Sequence, residues 1–300
     1  MKSYITYQID VFTTEKFKGN PAGVVVNADG LSDTEMQLIA RELNNSETAF
    51  ILSSNSKDYD GIIRYFTPTT EVPICGHATI AAIYVKALEE QLNSCVLNMK
   101  TSIGILPIEV VKNNSNYQII MTQGKFELSP EFDATTTKKL LNALGLQNSD
   151  RDKRCPIQIA STGHSKVMIG IKSNEKLNQL VPNMDALETL SKQINCNGYF
   201  VFTLNPDSED ALTNGRMFAP AIGIQEDSVT GNANGPLGGY LVQNKIIDFN
   251  GSVFEFTGRQ GEKMQRSGDI FVRVETTKNI PTKIQIKGSA VPVFRTKIEM

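Results

Sequence analysis

Three hundred residues with 40% apolar and 21% charged side chains are ordinary for a globular chain, long enough for one large core or two ordinary ones. Thirty Lys and Arg against 32 Asp and Glu leave a net charge of −2, which argues against nucleic acid or an anionic membrane as partner. No run approaches the roughly 20 apolar residues that span a bilayer, and four cysteines without a CxxC pair beside two histidines argue against a structural metal site.

The first element in chain order reads as a strand, the alternating YITYQIDVF at 4–12. The N-terminus lacks the apolar segment of a secretory leader, so the expectation is a cytoplasmic protein with free thiols. AGVVV at 22–26 reads as a second strand. Ser32 and Glu35 form a capping-box signature that opens a helix over 32–43. NNSETAF at 44–50 follows, and its apolar continuation to Leu52 reads as a buried strand. Glu47 stands at the mouth of that strand, where the plain reading is a solvated polar residue. GIIRYF at 61–66 is a further strand, and a helix begins just after Gly76. The polar stretch VKNNSNY at 112–118 is the best division between two halves. Helices are expected over 134–144, ending at Gly145, over 183–194, and just after Gly231. Runs at 198–204, 252–258, 269–275 and 283–288 read as strands.

Two segments repeat one plan. RYFTPTTEVPICGHATIAA at 64–82 and RMFAPAIGIQEDSVTGNANGPLGG at 216–239 both open with Arg, any residue, Phe, any residue, Pro. Both then reach Gly, a polar residue and Ala, as Gly76-His77-Ala78 and Gly231-Asn232-Ala233. A weaker echo links NPAGVVV at 20–26 with TGHSKVMIG at 162–170. Two half-chains with one plan imply two similar domains. Small side chains at each helix start leave the unsatisfied N–H groups and the positive end of the dipole uncovered, a natural seat for a carboxylate.

At these residues the chain resembles the phenazine-biosynthesis PhzF-like family, within the diaminopimelate epimerase fold. The matching motifs are DVFTTEKFKGNPAGVVV at 10–26, NNSETAFI at 44–51, RYFTPTTEVPICGHATIAA at 64–82 and EDSVTGNANGPLGGYL at 226–241. The resemblance implies an α+β fold of two similar domains, 1–117 (with 287–300 returning to it) and 118–286. Each would wrap a mixed, mostly antiparallel sheet around a central helix, with the active site in the cleft between them. It also implies a homodimer, a small carboxylate-bearing substrate and no cofactor or metal. Glu47 takes the acid/base role, and a glutamate is strengthened for that role by partial burial, here expected beside Phe50 and Phe66. His77 and Asp227 join it as catalytic residues. Asn20, Gly76, Ala78, Gly231 and Asn232 form the expected substrate-binding set.

Departures from related enzymes narrow the reading. Cofactor-free racemases of this fold use two cysteines, and here Cys75 faces a half-chain counterpart, Thr230, whose hydroxyl is too weakly acidic to replace a thiol unaided. Cys75 then reads as a small buried residue. Asn232 stands where the PhzF-like pattern commonly has serine. His164, in TGHSKV, reads as a turn residue, although the half-chain echo sets it near the cleft. Arg64 and Arg216 read as strand-pairing residues. The leading expectation is a cofactor-independent isomerase that moves a proton and a double bond. The alternatives are an amino-acid or hydroxy-acid racemase or epimerase, and a catalytically silent small-molecule binding protein.

Overall fold

A computed structural model describes residues 2–114, 116–205 and 210–300. They form two compact units: one ends at Thr122 and regains Lys287–Met300, the other spans Gln123–Ile286. The polar stretch at 112–118, of which Ser115 lies outside the described residues, joins two paired strands, so the chain divides a few residues later.

The first unit runs β1 (Ser3–Val11), β2 (Asn20–Val25), α1 (Asp33–Leu43), β3 (Thr48–Leu52), β4 (Gly61–Phe66), β5 (Glu71–Val72), α2 (Gly76–Glu89), β6 (Cys95–Thr101), β7 (Gly104–Asn113) and β8 (Asn116–Thr122). The capping box at Ser32 and Glu35 forms as expected. Strands β2 and β3 are parallel, as are β4 and β6, and the other pairs are antiparallel. The sheet curves around α2, which packs on β1, β2, β3, β4, β7 and β8. Ile80, Ile83 and Val85 of this helix are wholly buried. Burying each such side chain stabilises the fold by about 1.5–3 kcal/mol.

The second unit runs β9 (Glu127–Leu128), α3 (Ala134–Ala143), β10 (Gln158–Ser161), β11 (Lys166–Ile171), α4 (Asn174–Gln179), α5 (Met184–Ile194), β12 (Tyr199–Leu204), β13 (Thr213–Ala219), β14 (Ile224–Asp227), α6 (Gly231–Gln243), β15 (Val253–Gln260) and β16 (Gly268–Thr277). The last strand, β17 (Ile280–Glu299), begins here and ends in the first unit, antiparallel to β1. There Arg295 donates to Glu89 at the end of α2, 3.0 Å away. The pairing plan repeats that of the first unit. Strands β11 and β12 are parallel, as are β13 and β15, while β12–β13, β13–β14 and β15–β16 are antiparallel. Helix α6 takes the central place despite four glycines and an internal Pro236, a composition of poor helix propensity. Close packing overrides it. A Cβ on Gly238 would lie 2.7 Å from Val274, so only glycine admits β16 so near the helix. Among the described residues no helix is long and apolar enough to cross a membrane.

The repeated Arg-x-Phe motif is a hairpin clamp in both units. Arg64 holds Glu71 of β5 through two contacts of 2.7 Å, and Arg216 holds Glu226 of β14 through two of 2.8 Å. Each guanidinium also lies over the Phe two residues on, at 5.1 and 5.0 Å from the ring centre. The copies differ in burial: the Arg216 and Glu226 side chains are 6% and 15% exposed, those of Arg64 and Glu71 25% and 42%. Arg216 also caps the carbonyls of Leu177 and Leu180. Truncating it strands a half-buried carboxylate and two carbonyls. Arg216→Ala should therefore lower unfolding free energy by about 3–5 kcal/mol, and Arg64→Ala by at most about 1 kcal/mol, as read by denaturant titration.

Candidate active site

Helix α1 ends at Asn44, whose φ of 52° turns the chain back toward the sheet. The turn delivers Glu47 to the mouth of β3, where its carbonyl accepts from the Gly23 N–H at 3.2 Å. Its side chain, 15% exposed, points at the first turn of α2. There Glu47 Oε2 lies 3.5 Å from His77 Nε2, and Ser46 Oγ lies 3.3 Å from the same nitrogen. The other ring nitrogen, Nδ1, is 3.4 Å from Cys75 Sγ. A row thus forms: thiol, imidazole, carboxylate. His77 is 8% exposed, and Cys75 is half-buried at the N-cap, where no side chain caps the helix. A Cβ added to Gly76 would meet no atom within 4 Å, so the protein's own packing does not require glycine there. The missing side chain leaves the helix start open to a ligand.

One expectation about this unit needs correction. Phe50 and Phe66 do not flank Glu47: they belong to the core cluster of Met36 and Ile39 under α1. Strand alternation places Glu47 with Ala49 and Ile51 on the opposite face. Ala78 has no exposed surface, as the sheet closes over α2 from His77 onward. Asn20 is only 2% exposed, at the start of β2.

Glu47, Cys75 and His77 bring three ligand-type atoms within 4.8 Å of one another. A carboxylate, a thiolate and an imidazole suit zinc by type. The thiol and the carboxylate, however, meet opposite nitrogens of the ring. One ion cannot take all three contacts, and the row suits proton transfer better than chelation.

The second unit builds a matching helix start. Thr230 occupies the N-cap of α6, and its hydroxyl donates to Asp227 Oδ2 at 2.5 Å. Gln260, from the end of β15, accepts from the Thr230 N–H and donates to the Asp227 carbonyl, at 3.1 and 2.8 Å. Gln123 donates to the Gly231 carbonyl and accepts from Thr162, at 3.0 and 2.9 Å, fastening the turn before β11 to the start of α6. Asp227, Gly231 and Asn232 thus meet here, and Asn232 Oδ1 is buried without a hydrogen-bond partner. Gln123 and Gln260 carried no motif signal in the sequence. Nor did Lys166, which is 7% exposed. His164 is exposed, and the surrounding protein together with the Lys166 charge lowers its pKa.

A profile of the phenazine biosynthesis-like (PhzC-PhzF) family matches residues 9–296. An uncharacterized isomerase of Clostridium acetobutylicum is 57% identical over 99% of both chains. The trans-2,3-dihydro-3-hydroxyanthranilate isomerase of Pseudomonas chlororaphis is 32% identical over 97% of both. The crystal structure of a PhzF-family phenazine biosynthesis protein from Bacillus anthracis superposes with a TM-score of 0.89 at 32% identity, covering 100% of both chains. With these matches running from end to end, the chain belongs to the phenazine biosynthesis-like family and is an isomerase.

Proposed function

We propose that this isomerase moves a proton and a double bond within a small carboxylate-bearing metabolite, with Glu47 as the acid/base and no cofactor. The observation that carries the reading is the half-buried Glu47 carboxylate facing the buried His77 imidazole at the open start of α2. As the carboxylate, Glu47 takes a proton from a carbon next to a C=C bond. The electron pair left behind forms the new double bond, and the old one opens toward its far carbon. The protonated Glu47 returns the proton there, so the proton count is unchanged and no redox partner is needed. His77 hydrogen-bonds the carboxylate or a substrate heteroatom, and Asp227 binds an amine or hydroxyl. The N–H groups at Gly76 in the first unit, and those at Gly231 and Asn232 in the second, each favour an acid group. The reaction of the Pseudomonas relative, on trans-2,3-dihydro-3-hydroxyanthranilate, is the model for this substrate class. Pairing of two copies is part of the reading. Val96 and Ile105, exposed on the outer face of β6 and β7, supply apolar surface for it.

A racemase reading draws on Cys75, whose thiol sits 3.4 Å from an imidazole nitrogen and is thereby placed to lose its proton. Against it, the Thr230 hydroxyl meets only the Asp227 carboxylate, far too weak a base to make an alkoxide that could replace a thiolate.

The dihydro-hydroxyanthranilate serves as test substrate. Glu47→Gln should lower kcat by at least about 10³-fold, the upper range for a lost acid/base, with calorimetric affinity within a few-fold of wild type; full turnover in that variant sinks the proposal. Cys75→Ser should change kcat by less than about tenfold, whereas a collapse would favour the thiol mechanism. Gly76→Ala should fold with stability within about 0.5 kcal/mol of wild type, yet bind substrate more weakly, because the added methyl occupies the ligand's approach. Dialysis against a chelator should leave kcat/KM unchanged.

A further inference from the structure

The two units place matching backbone positions at the starts of their central helices. In the first, the Gly23 N–H donates to the carbonyl of Glu47, the residue before β3. In the second, the Val167 N–H donates to the carbonyl of Gly198, the residue before β12, at 2.8 Å. Glu47 and Gly198 are therefore counterparts. The second unit has no side chain at that position, and the space is taken: a Cβ on Gly198 would lie 2.3 Å from Lys166 Cδ and 3.4 Å from its Nζ.

The face of the sheet follows from alternation. Val167, Ile169, Tyr199 and Val201 point into the core shared with α3 and α5. Lys166 and Gly198 therefore point to the other face, where α6 lies. The far end of α6 is marked by Tyr240, which packs on Phe202 at 6.0 Å, and its near end is tied to the turn before β11 through Gln123. Lys166 thus stands at the start of α6.

A lysine 7% exposed is expected to have an acidic partner. Among the described residues its Nζ has one hydrogen bond, to the Ser165 carbonyl at 3.1 Å, and no ion pair. Burial lowers its pKa, while Cys196 and Asp227 act in the opposite direction. Asn232 Oδ1, in the first turn of the same helix, is buried and lacks a donor. An acceptor short of a donor and an ammonium with no close ion pair, in the field of the Asp227 carboxylate, sit at one helix end whose N–H groups favour negative charge.

We propose that Lys166 is the carboxylate anchor of the second unit, an ammonium standing where the first unit has the Glu47 carboxylate, and that its ligand is an acid whose adjacent amine or hydroxyl donates to Asn232. This rests on the reading of the chain as an isomerase of carboxylate-bearing metabolites and narrows that class to amino and hydroxy acids.

The probes are anthranilate, with its ortho amine, and its uncharged carboxamide. Calorimetric titration of the full chain should show anthranilate binding at least about tenfold more tightly than the amide. Lys166→Met keeps the length and apolar stem and removes the charge. It should melt at or above the wild-type temperature, since a confined charge is gone, and lose the preference between probes. A Lys166→Met chain that keeps the preference, or a wild type that has none, overturns the anchor. Should Lys166→Met fail to fold, Lys166→Gln carries the same reading. Glu47→Gln separates the two ideas: it leaves the probe preference intact whether or not turnover depends on Glu47.

Discussion

A helix enclosed by a sheet can meet polar groups only at its ends. Both central helices here are buried along their length, and both begin at a glycine with no side chain capping the first turn. Four N–H groups at such a start lack intrahelical partners, and a structure that buries them must supply acceptors or leave room for one. That constraint organises the chemistry. His77, Cys75 and Glu47 gather at one start, and Asp227, Thr230 and Asn232 at the other. Hairpin clamps hold the strands that lead in. Arg216 fixes Glu226, the neighbour of Asp227, and Arg64 fixes Glu71, just before α2.

The half-chain repeat is a duplication of backbone more than of side chains. Strand order, the pairs of parallel strands and the clamping arginines recur. The groups at the helix starts do not. Cys75 answers to Thr230, His77 to Asn232 and Glu47 to Gly198. Equal scaffolds thus carry unequal chemistry at their helix starts.

Much of this is legible in the sequence. Ser32 with Glu35 announced α1, and Gly76 and Gly231 marked the starts of both central helices, because capping boxes and glycine-small pairs act locally. Glu47 and His77 were named from motifs, and the structure brings them into contact. The apolar surroundings were misjudged, since Phe50 reads as near Glu47 along the chain but faces the other side of the sheet. Strands β6 to β8 carry a weak signal, because Asn, Lys, Gln and Met dilute the β-branched and aromatic residues in CVLNMKT and NYQIIMT, and a proline interrupts GILPIEVVKN. Helix α6 was located by its start alone; GNANGPLGG has no helical propensity to follow, and only the packing of Gly238 against β16 explains it. Lys166 escaped notice because a lysine after a Gly-His-Ser turn looks solvated. Its burial depends on a notch at Gly198, 32 positions away in the chain.

The return of β17 to β1 bears on how this polypeptide matures. Val11, Ile9 and Tyr7 of β1 find partners in Ala290, Pro292 and Arg295, which are translated only after the second unit. Until that segment emerges, β1 waits with one edge bare, a template for foreign strands. The first unit cannot close before the second has been translated, so a chain truncated before residue 290 leaves that edge of β1 unpaired.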